Sequence, residues 1–319
     1  MSLALLPQLE SEAEFDALLR QTELWRPAIE AICVEHGLST NKLRAFDTGS
    51  AVIWEVGQSQ VIKLMPPFWA QDCANEIKVL AQLKQHPELP VPSLVAQGQL
   101  EGWPYFIMSR LPGRFCSEIW PDLDSVQQQA IMRQLGHTLN ALHQVPITGL
   151  AHIAVDWPEF VQTQLEGFVS QQARFGVADE IVAQLYEALQ RQAPSIGLAS
   201  RQCLLHCEVM PEHILLTEIN GQWQITGLID FGDPMVGLPD YEFGAVCLFF
   251  TALQPELRRE FLLAYGYAPA DLGPELAQRL CAAALLHRFG SVPLGLKKLK
   301  TIGLDPKQKH VFLDTFFSL

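Results

Sequence analysis

Apolar residues recur at helical spacing between positions 12 and 36, where Phe15, Leu18, Leu19, Ile29, Ile32 and Cys33 would form one stripe. The period then shortens. Residues 44–47, 51–56 and 60–65 read as short strands, joined by turns at Asp47-Thr48-Gly49-Ser50 and Gly57-Gln58-Ser59. Ile77, Leu80 and Leu83 mark a helix over 72–85, closed by His86-Pro87. Two more strand-like pieces follow, 93–97 and 105–110, separated by Gly98 and by Gly102-Trp103-Pro104.

At Leu111-Pro112-Gly113 the character changes again. Helical patterns dominate from there, over 125–143, 158–172, 178–192 and several segments after Pro239. Strand-like interruptions fall at 202–205, 214–217 and 222–229. The pattern predicts a β-rich first half with one helix plus an extra N-terminal helix, then a mainly helical second half: an α+β chain.

Composition narrows the function classes. The chain has 319 residues, 49% hydrophobic and 18% charged, which suits a packed protein rather than a disordered one. Asp and Glu number 35 against 22 Lys and Arg, a net charge of −13. Such a balance disfavours nucleic acid, which asks for a basic face. The longest apolar runs, 244–253 and 280–286, are far short of the ~20 residues a membrane span needs. Seven scattered cysteines without a CxxC pair indicate neither a disulfide framework nor a zinc finger. A reducing, cytoplasmic setting is the expectation.

The chemistry concentrates in Leu205-His206-Cys207-Glu208-Val209-Met210-Pro211-Glu212-His213-Ile214, followed by Leu228-Ile229-Asp230-Phe231-Gly232. Apolar strand residues flank a polar loop, and a strand pair then ends in Asp-Phe-Gly. Phosphoryl transfer uses such a set: one carboxylate for the acceptor hydroxyl, one ligand for a metal, and a further Asp bridging metal and phosphates. A zinc hydrolase is the weaker reading, because His-x-Glu-x₄-His lacks the helical His-Glu-x-x-His spacing and Met210-Pro211 argues for a loop.

These segments resemble the aminoglycoside phosphotransferase and choline-kinase-like family, relatives of the protein kinases. The family's loop reads roughly His-Gly-Asp-x-x-x-x-Asn, then Ile-Asp-(Phe/Trp)-Gly. Here the matching runs are His206 to His213 and Ile229 to Gly232, with Gly237-Leu238-Pro239-Asp240-Tyr241-Glu242 after them. Val61-Ile62-Lys63-Leu64 is similar to the strand whose lysine contacts nucleotide phosphates, and Asn75-Glu76-Ile77 to the helix whose glutamate pairs with it. Asp47-Thr48-Gly49-Ser50-Ala51 sits where the phosphate-covering turn belongs, and Phe106-Ile107-Met108-Ser109-Arg110 resembles the approach to the hinge. In order and spacing the likeness covers residues 40–245.

The resemblance implies a two-lobed, protein kinase-like α+β fold. A small antiparallel β-rich lobe would span 1–109, a hinge 110–113, and a larger helical lobe 114–319. It implies an ATP-dependent phosphotransferase acting on a hydroxyl of a small molecule, with Mg²⁺ or Mn²⁺. Lys63, Glu76, Gly49, Ser50 and Met108 would hold the nucleotide, and Asp230 and His213 the metal. Glu208 and His206 are the candidate catalytic pair, Glu208 aligning the acceptor hydroxyl and His206 bracing the loop. Acceptor contacts would come from 121–192 and 253–319. Asp233, Glu212 and Asp240 add negative charge nearby, which would steer a cationic acceptor.

Two positions depart from the family. Its acceptor-side Asp is Glu208, whose carboxylate reaches about 1.5 Å further. Its metal-binding Asn is His213, a borderline nitrogen that suits manganese better than magnesium. These changes leave open an alternative, a nucleotide-binding pseudokinase that serves as a regulatory module. Glu242, where the family has a structural Asp, keeps the acid that would fix the loop backbone.

Overall fold

Alternation of side chains across a sheet explains the first half of the chain. In the computed structural model, which describes residues 4–193, 196, 201–290, 292–308 and 310–319, the elements begin with helices α1 (Glu12–Leu19) and α2 (Thr22–Glu35). Strands β1 (Leu43–Ala45), β2 (Val52–Val56) and β3 (Gln60–Leu64) follow, then helix α3 (Ala70–Leu83) and strands β4 (Leu94–Leu100) and β5 (Trp103–Ser109). The five strands form one antiparallel sheet in the order β1-β2-β3-β5-β4.

Even-numbered positions of β2 and β3 (Val52, Trp54, Val56, Ile62, Leu64) join Trp103, Tyr105 and Ile107 of β5 in one core. Helices α1 and α2 cover that face through Phe15, Trp25, Ile29 and Ile32. Rings of Phe15, Trp25 and Trp103 meet at 5.5–6.0 Å between centroids. The single N-terminal helix expected from the periodicity is therefore two helices, parted at Arg20 and Gln21. Each carries its own part of the stripe. Gly98, read as a separator, lies inside β4, which runs on to Leu100.

The second half continues with β6 (Arg114–Phe115), α4 (Cys116–Ile119), α5 (Ser125–His143), α6 (Trp157–Arg174) and α7 (Asp179–Gln192). Next come β7 (Cys203–Leu205), β8 (Ile214–Ile219), β9 (Gln222–Leu228), β10 (Met235–Gly237) and α8 (Pro239–Phe249). Helices α9 (Pro255–Tyr265), α10 (Pro274–Leu285), α11 (Val292–Thr301) and α12 (Val311–Phe316) complete the described chain. Two small sheets, β6-β8-β9 and β10-β7, frame the polar loop after Leu205. No helix among the described residues is long and apolar enough to cross a membrane.

The chain divides into two compact units, residues 1–112 with 227–233, and 113–226 with 234–319. The segment carrying Asp230 thus packs with the first unit. It is tied there by the Leu228 N–H, which donates to the Pro90 carbonyl at 2.7 Å.

Candidate functional site

Lys63 is placed by register. Its neighbours Ile62 and Leu64 enter the core under α1 and α2, so Lys63 points to the other face, opposite Ile53 of β2 and Phe106 of β5. There it is 4% exposed, a position that an ammonium tolerates only when paired. Its Nζ donates to Glu76 Oε2 at 2.8 Å and to Asp230 Oδ1 at 2.8 Å. Glu76 comes from the buried face of α3, and Asp230 follows β9 with φ at +69°. Aspartate accepts that left-handed conformation more readily than most residues, and such strain collects at functional positions. Burial works against the Lys63 charge, but the carboxylates of Asp230 and Glu76 outweigh it and hold the ammonium above the ordinary lysine range. Burial pushes the Glu76 carboxyl up, with Lys63 pulling part of the way back.

The turn at 47–50 is exposed, and Gly49 takes φ +95°, a value that favours glycine. Arg20, at the end of α1, donates to the Gly49 carbonyl at 2.7 Å and so tethers the turn beside Ser50. Met108 lies half-buried on β5 between Val61 and Leu94, on the same face as Lys63.

In the second unit, Glu242 of α8 organises the loop. It is fully buried and accepts the His206 N–H at 2.7 Å and the Cys207 N–H at 2.8 Å. Burial would raise its carboxyl, yet His143, with Nε2 3.5 Å away, outweighs that and lowers it. The Glu208 N–H donates to His206 Nδ1 at 3.2 Å. His206 itself is buried, and this bond ties its ring to the backbone of the loop. His213 donates from Nδ1 to the Glu208 carbonyl at 2.7 Å, and the Met210 N–H donates to the same oxygen at 2.8 Å. Cys207 takes φ +69° and its carbonyl accepts the His287 Nε2–H at 3.1 Å.

The predicted residues therefore gather as two sets. Lys63, Glu76 and Asp230 meet in the first unit, with Gly49, Ser50 and Met108 on its turn and strand. His206, Glu208 and His213 meet in the second, on Glu242. Arg20 and His287 were not foreseen. Their partners lie 29 and 80 residues away, and only a pattern at that range would have pointed to them.

Among the described residues no three His, Cys, Asp or Glu side chains gather as a metal cage. A kinase-type Mg²⁺ site takes one or two protein groups and completes its shell with phosphates and water. Each predicted metal residue, taken by itself, suits that limited role. Asp230 offers hard oxygen, and a histidine whose Nδ1–H is held by a backbone carbonyl presents Nε2 in the tautomer that binds metals. Of the three acids expected to draw a cation, Asp240 is committed. Its carboxylate accepts from Tyr267 and from Arg279.

A cavity of about 70 Å³, partly open to solvent, lies beside Glu208 in the second unit. Met210, Leu248, Phe249, Phe289 and Leu294 supply most of its apolar wall, with His287 at one side.

A model of the phosphotransferase enzyme family matches residues 42–277. Among solved structures, the GDP and kanamycin complex of APH(2″)-IIIa is similar over 89% of this chain and 95% of its own, at 18% identity and a TM-score of 0.68. The streptomycin–ATP complex of APH(2″)-IIa matches over 92% and 98%, at 18% identity and a TM-score of 0.58. The macrolide 2′-phosphotransferase MphH from Brachybacterium faecium matches over 88% and 95%, at 21% identity and a TM-score of 0.61. The fold is thus the two-lobed, kinase-like α+β fold of these enzymes.

Proposed function

The chain belongs to the phosphotransferase enzyme family, and from that premise we propose that it transfers the γ-phosphoryl group of ATP to a hydroxyl of a small molecule. The observation that carries the reading is the Lys63 ammonium held at 2.8 Å from both Glu76 and Asp230. A buried cation with two acidic partners is costly to assemble for stability alone. Poised beside phosphates, it neutralises charge that builds during transfer.

In the proposed reaction the acceptor oxygen bonds to the γ-phosphorus while the bond from phosphorus to the β–γ bridging oxygen breaks. ADP leaves with that electron pair, and the hydroxyl proton passes to Glu208 and then to solvent. Lys63, fixed by Glu76, orients the phosphates under the turn that Arg20 tethers at Gly49 and Ser50, and Met108 lines the nucleotide side of the sheet. Asp230 and His213 would hold a divalent ion, which would screen phosphate charge when bound. His206 and Glu242 act by positioning, since both hold the backbone that carries Glu208. The longer Glu208 side chain sets where the acceptor hydroxyl must lie, and errors of about 1 Å cost about 10²-fold in rate.

Calorimetric titration of ATP and of GTP with Mg²⁺ and then Mn²⁺, followed by assay of phosphate release, tests the proposal. We expect metal-dependent ATP binding that Lys63→Ala abolishes. A slow release in Mn²⁺ should fall at least 10²-fold in Asp230→Ala, and His213→Asn should shift preference towards Mg²⁺. Binding without any release would instead support the regulatory module. Absence of nucleotide binding with either metal would remove both.

A further inference from the structure

We propose that the acceptor carries an uncharged, apolar body next to its reacting hydroxyl, and that the cavity beside Glu208 binds this body. The inference rests on the phosphotransferase reading and specifies the substrate class of that site.

The cavity adjoins the loop that carries the proposed acceptor carboxylate, because Cys207, Glu208 and Met210 are themselves part of its wall. Beyond the loop the wall is carbon. Helix α8 contributes Leu248 and Phe249, and Phe289 and, on α11, Leu294 complete it. The titratable groups facing the space are Glu208, Cys207 and His287. His287 brings no charge to it. Its Nε2–H donates to the Cys207 carbonyl, its Nδ1 accepts the Phe289 N–H at 3.4 Å, and its ring stacks on Tyr241 at 4.8 Å. An ammonium entering this space would shed water against carbon, with Glu208 as its one opposite charge, and that desolvation is expensive. An alkyl or aryl group gains there instead.

The rim points the same way. Phe289 is 47% exposed and Leu294 52% exposed, and both line the cavity. The ring of Phe175, also half exposed, extends the patch, lying 2.7 Å from where a Cβ would stand on Gly290. Large apolar side chains left in water and contiguous with an apolar cavity mark a binding surface. Two of the acids that would have favoured a cation do not serve it: Asp240 is bound to Arg279 and Tyr267, and Glu212 is not part of the wall.

The chemistry is that of the proposed transfer, with the γ-phosphoryl group moving from ATP to the acceptor oxygen. A homologous series of primary n-alkanols from ethanol to 1-heptanol, run with ATP and Mn²⁺ on the whole chain, reads the cavity directly. Each buried methylene should raise kcat/KM about fourfold until the space is filled. Amino alcohols of equal length with a terminal ammonium should be at least tenfold poorer. Leu294→Asp, at an exposed position, should lower kcat/KM for 1-hexanol at least tenfold while leaving ATP binding and slow hydrolysis unchanged. Ligand-observed NMR of 1-hexanol binding to the nucleotide-free protein, with and without Leu294→Asp, reads the cavity apart from catalysis.

A flat or falling alkanol series overturns the inference. So does phosphorylation of choline or kanamycin with a KM that Leu294→Asp does not move, although that result leaves the phosphotransferase reading intact. Hexanol binding that Leu294→Asp abolishes, in a protein that binds no nucleotide, would keep an apolar site but remove its role as acceptor pocket, and with it both readings.

Discussion

Removing the Lys63 ammonium would take from the Glu76 and Asp230 carboxylates the cation that sits 2.8 Å from each. Glu76 is 1% exposed, so it could not recover water without opening the helix–sheet contact. Breaking a buried pair from one side costs about 3–5 kcal/mol, whereas removing both partners costs much less. Lys63→Met should therefore destabilise the protein by about 3 kcal/mol in urea unfolding, and Lys63→Met with Glu76→Gln should be more stable than Lys63→Met alone. Additive losses would show that the two side chains do not share a pairing energy. These three residues were legible in the sequence through the resemblance: Lys63 sits within an apolar strand run, Asp230 opens an Asp-Phe-Gly run, and Glu76 was singled out only as the partner of Lys63. Arg20 was not, since its bond to the Gly49 carbonyl depends on how α1 turns into α2. His287 was hidden in the same way, at the end of an apolar run whose period says nothing about Cys207.

At the level of elements, strand and helix recognition succeeded where the period had room to repeat. Helix α5 was found at its observed bounds, with Asp124 and Gln127 forming a capping box at its start. Strands β6 and β10, of two and three residues, were missed. Helices α5 and α9 depend on a close approach at Gly136, where an added Cβ would lie 2.5 Å from the Phe261 carbonyl oxygen and 2.9 Å from the Tyr265 nitrogen. Those are backbone atoms and cannot swing aside. Gly136→Ala gains up to about 1 kcal/mol in helix propensity, but overpacking of this kind costs about 1–3 kcal/mol or more. The net effect should be a loss of about 1–2 kcal/mol. Gly167 on α6 provides the control, because a Cβ there meets nothing within 4 Å. Gly167→Ala should stabilise by about 0.5–1 kcal/mol, so thermal melts of the two variants should move in opposite directions.

Over the whole molecule, chain order concealed that residues 227–233 pack with the first unit, since sequence patterning ends β9 without saying which unit receives its last residues. Acid stability is also a property of the whole chain, and two effects with opposite signs compete in it. The net charge of −13 makes acidification favourable, because protonation relieves self-repulsion. His287 opposes this. Burial, with the Arg288 charge adding to it and the Cys207 carbonyl and Glu242 opposing, lowers its pKa to about 4 from the ordinary 6.5. Between those values the unfolded chain binds a proton that the folded chain refuses, so stability rises with pH there and is lost as pH falls from 6.5 towards 4. Moving from pH 7 to pH 5 should cost at most about 2 kcal/mol through this group. Working in 0.2 M salt, where screening acts within less than about 8 Å, suppresses the self-repulsion and isolates the histidine. Urea unfolding at pH 7 and pH 5 should then show the wild-type chain losing stability. His287→Gln, which keeps a donor for the Cys207 carbonyl but cannot titrate, should lose about 1–2 kcal/mol less over the same interval. Equal losses in the two proteins would mean that His287 takes up its proton in the folded state at an ordinary pH.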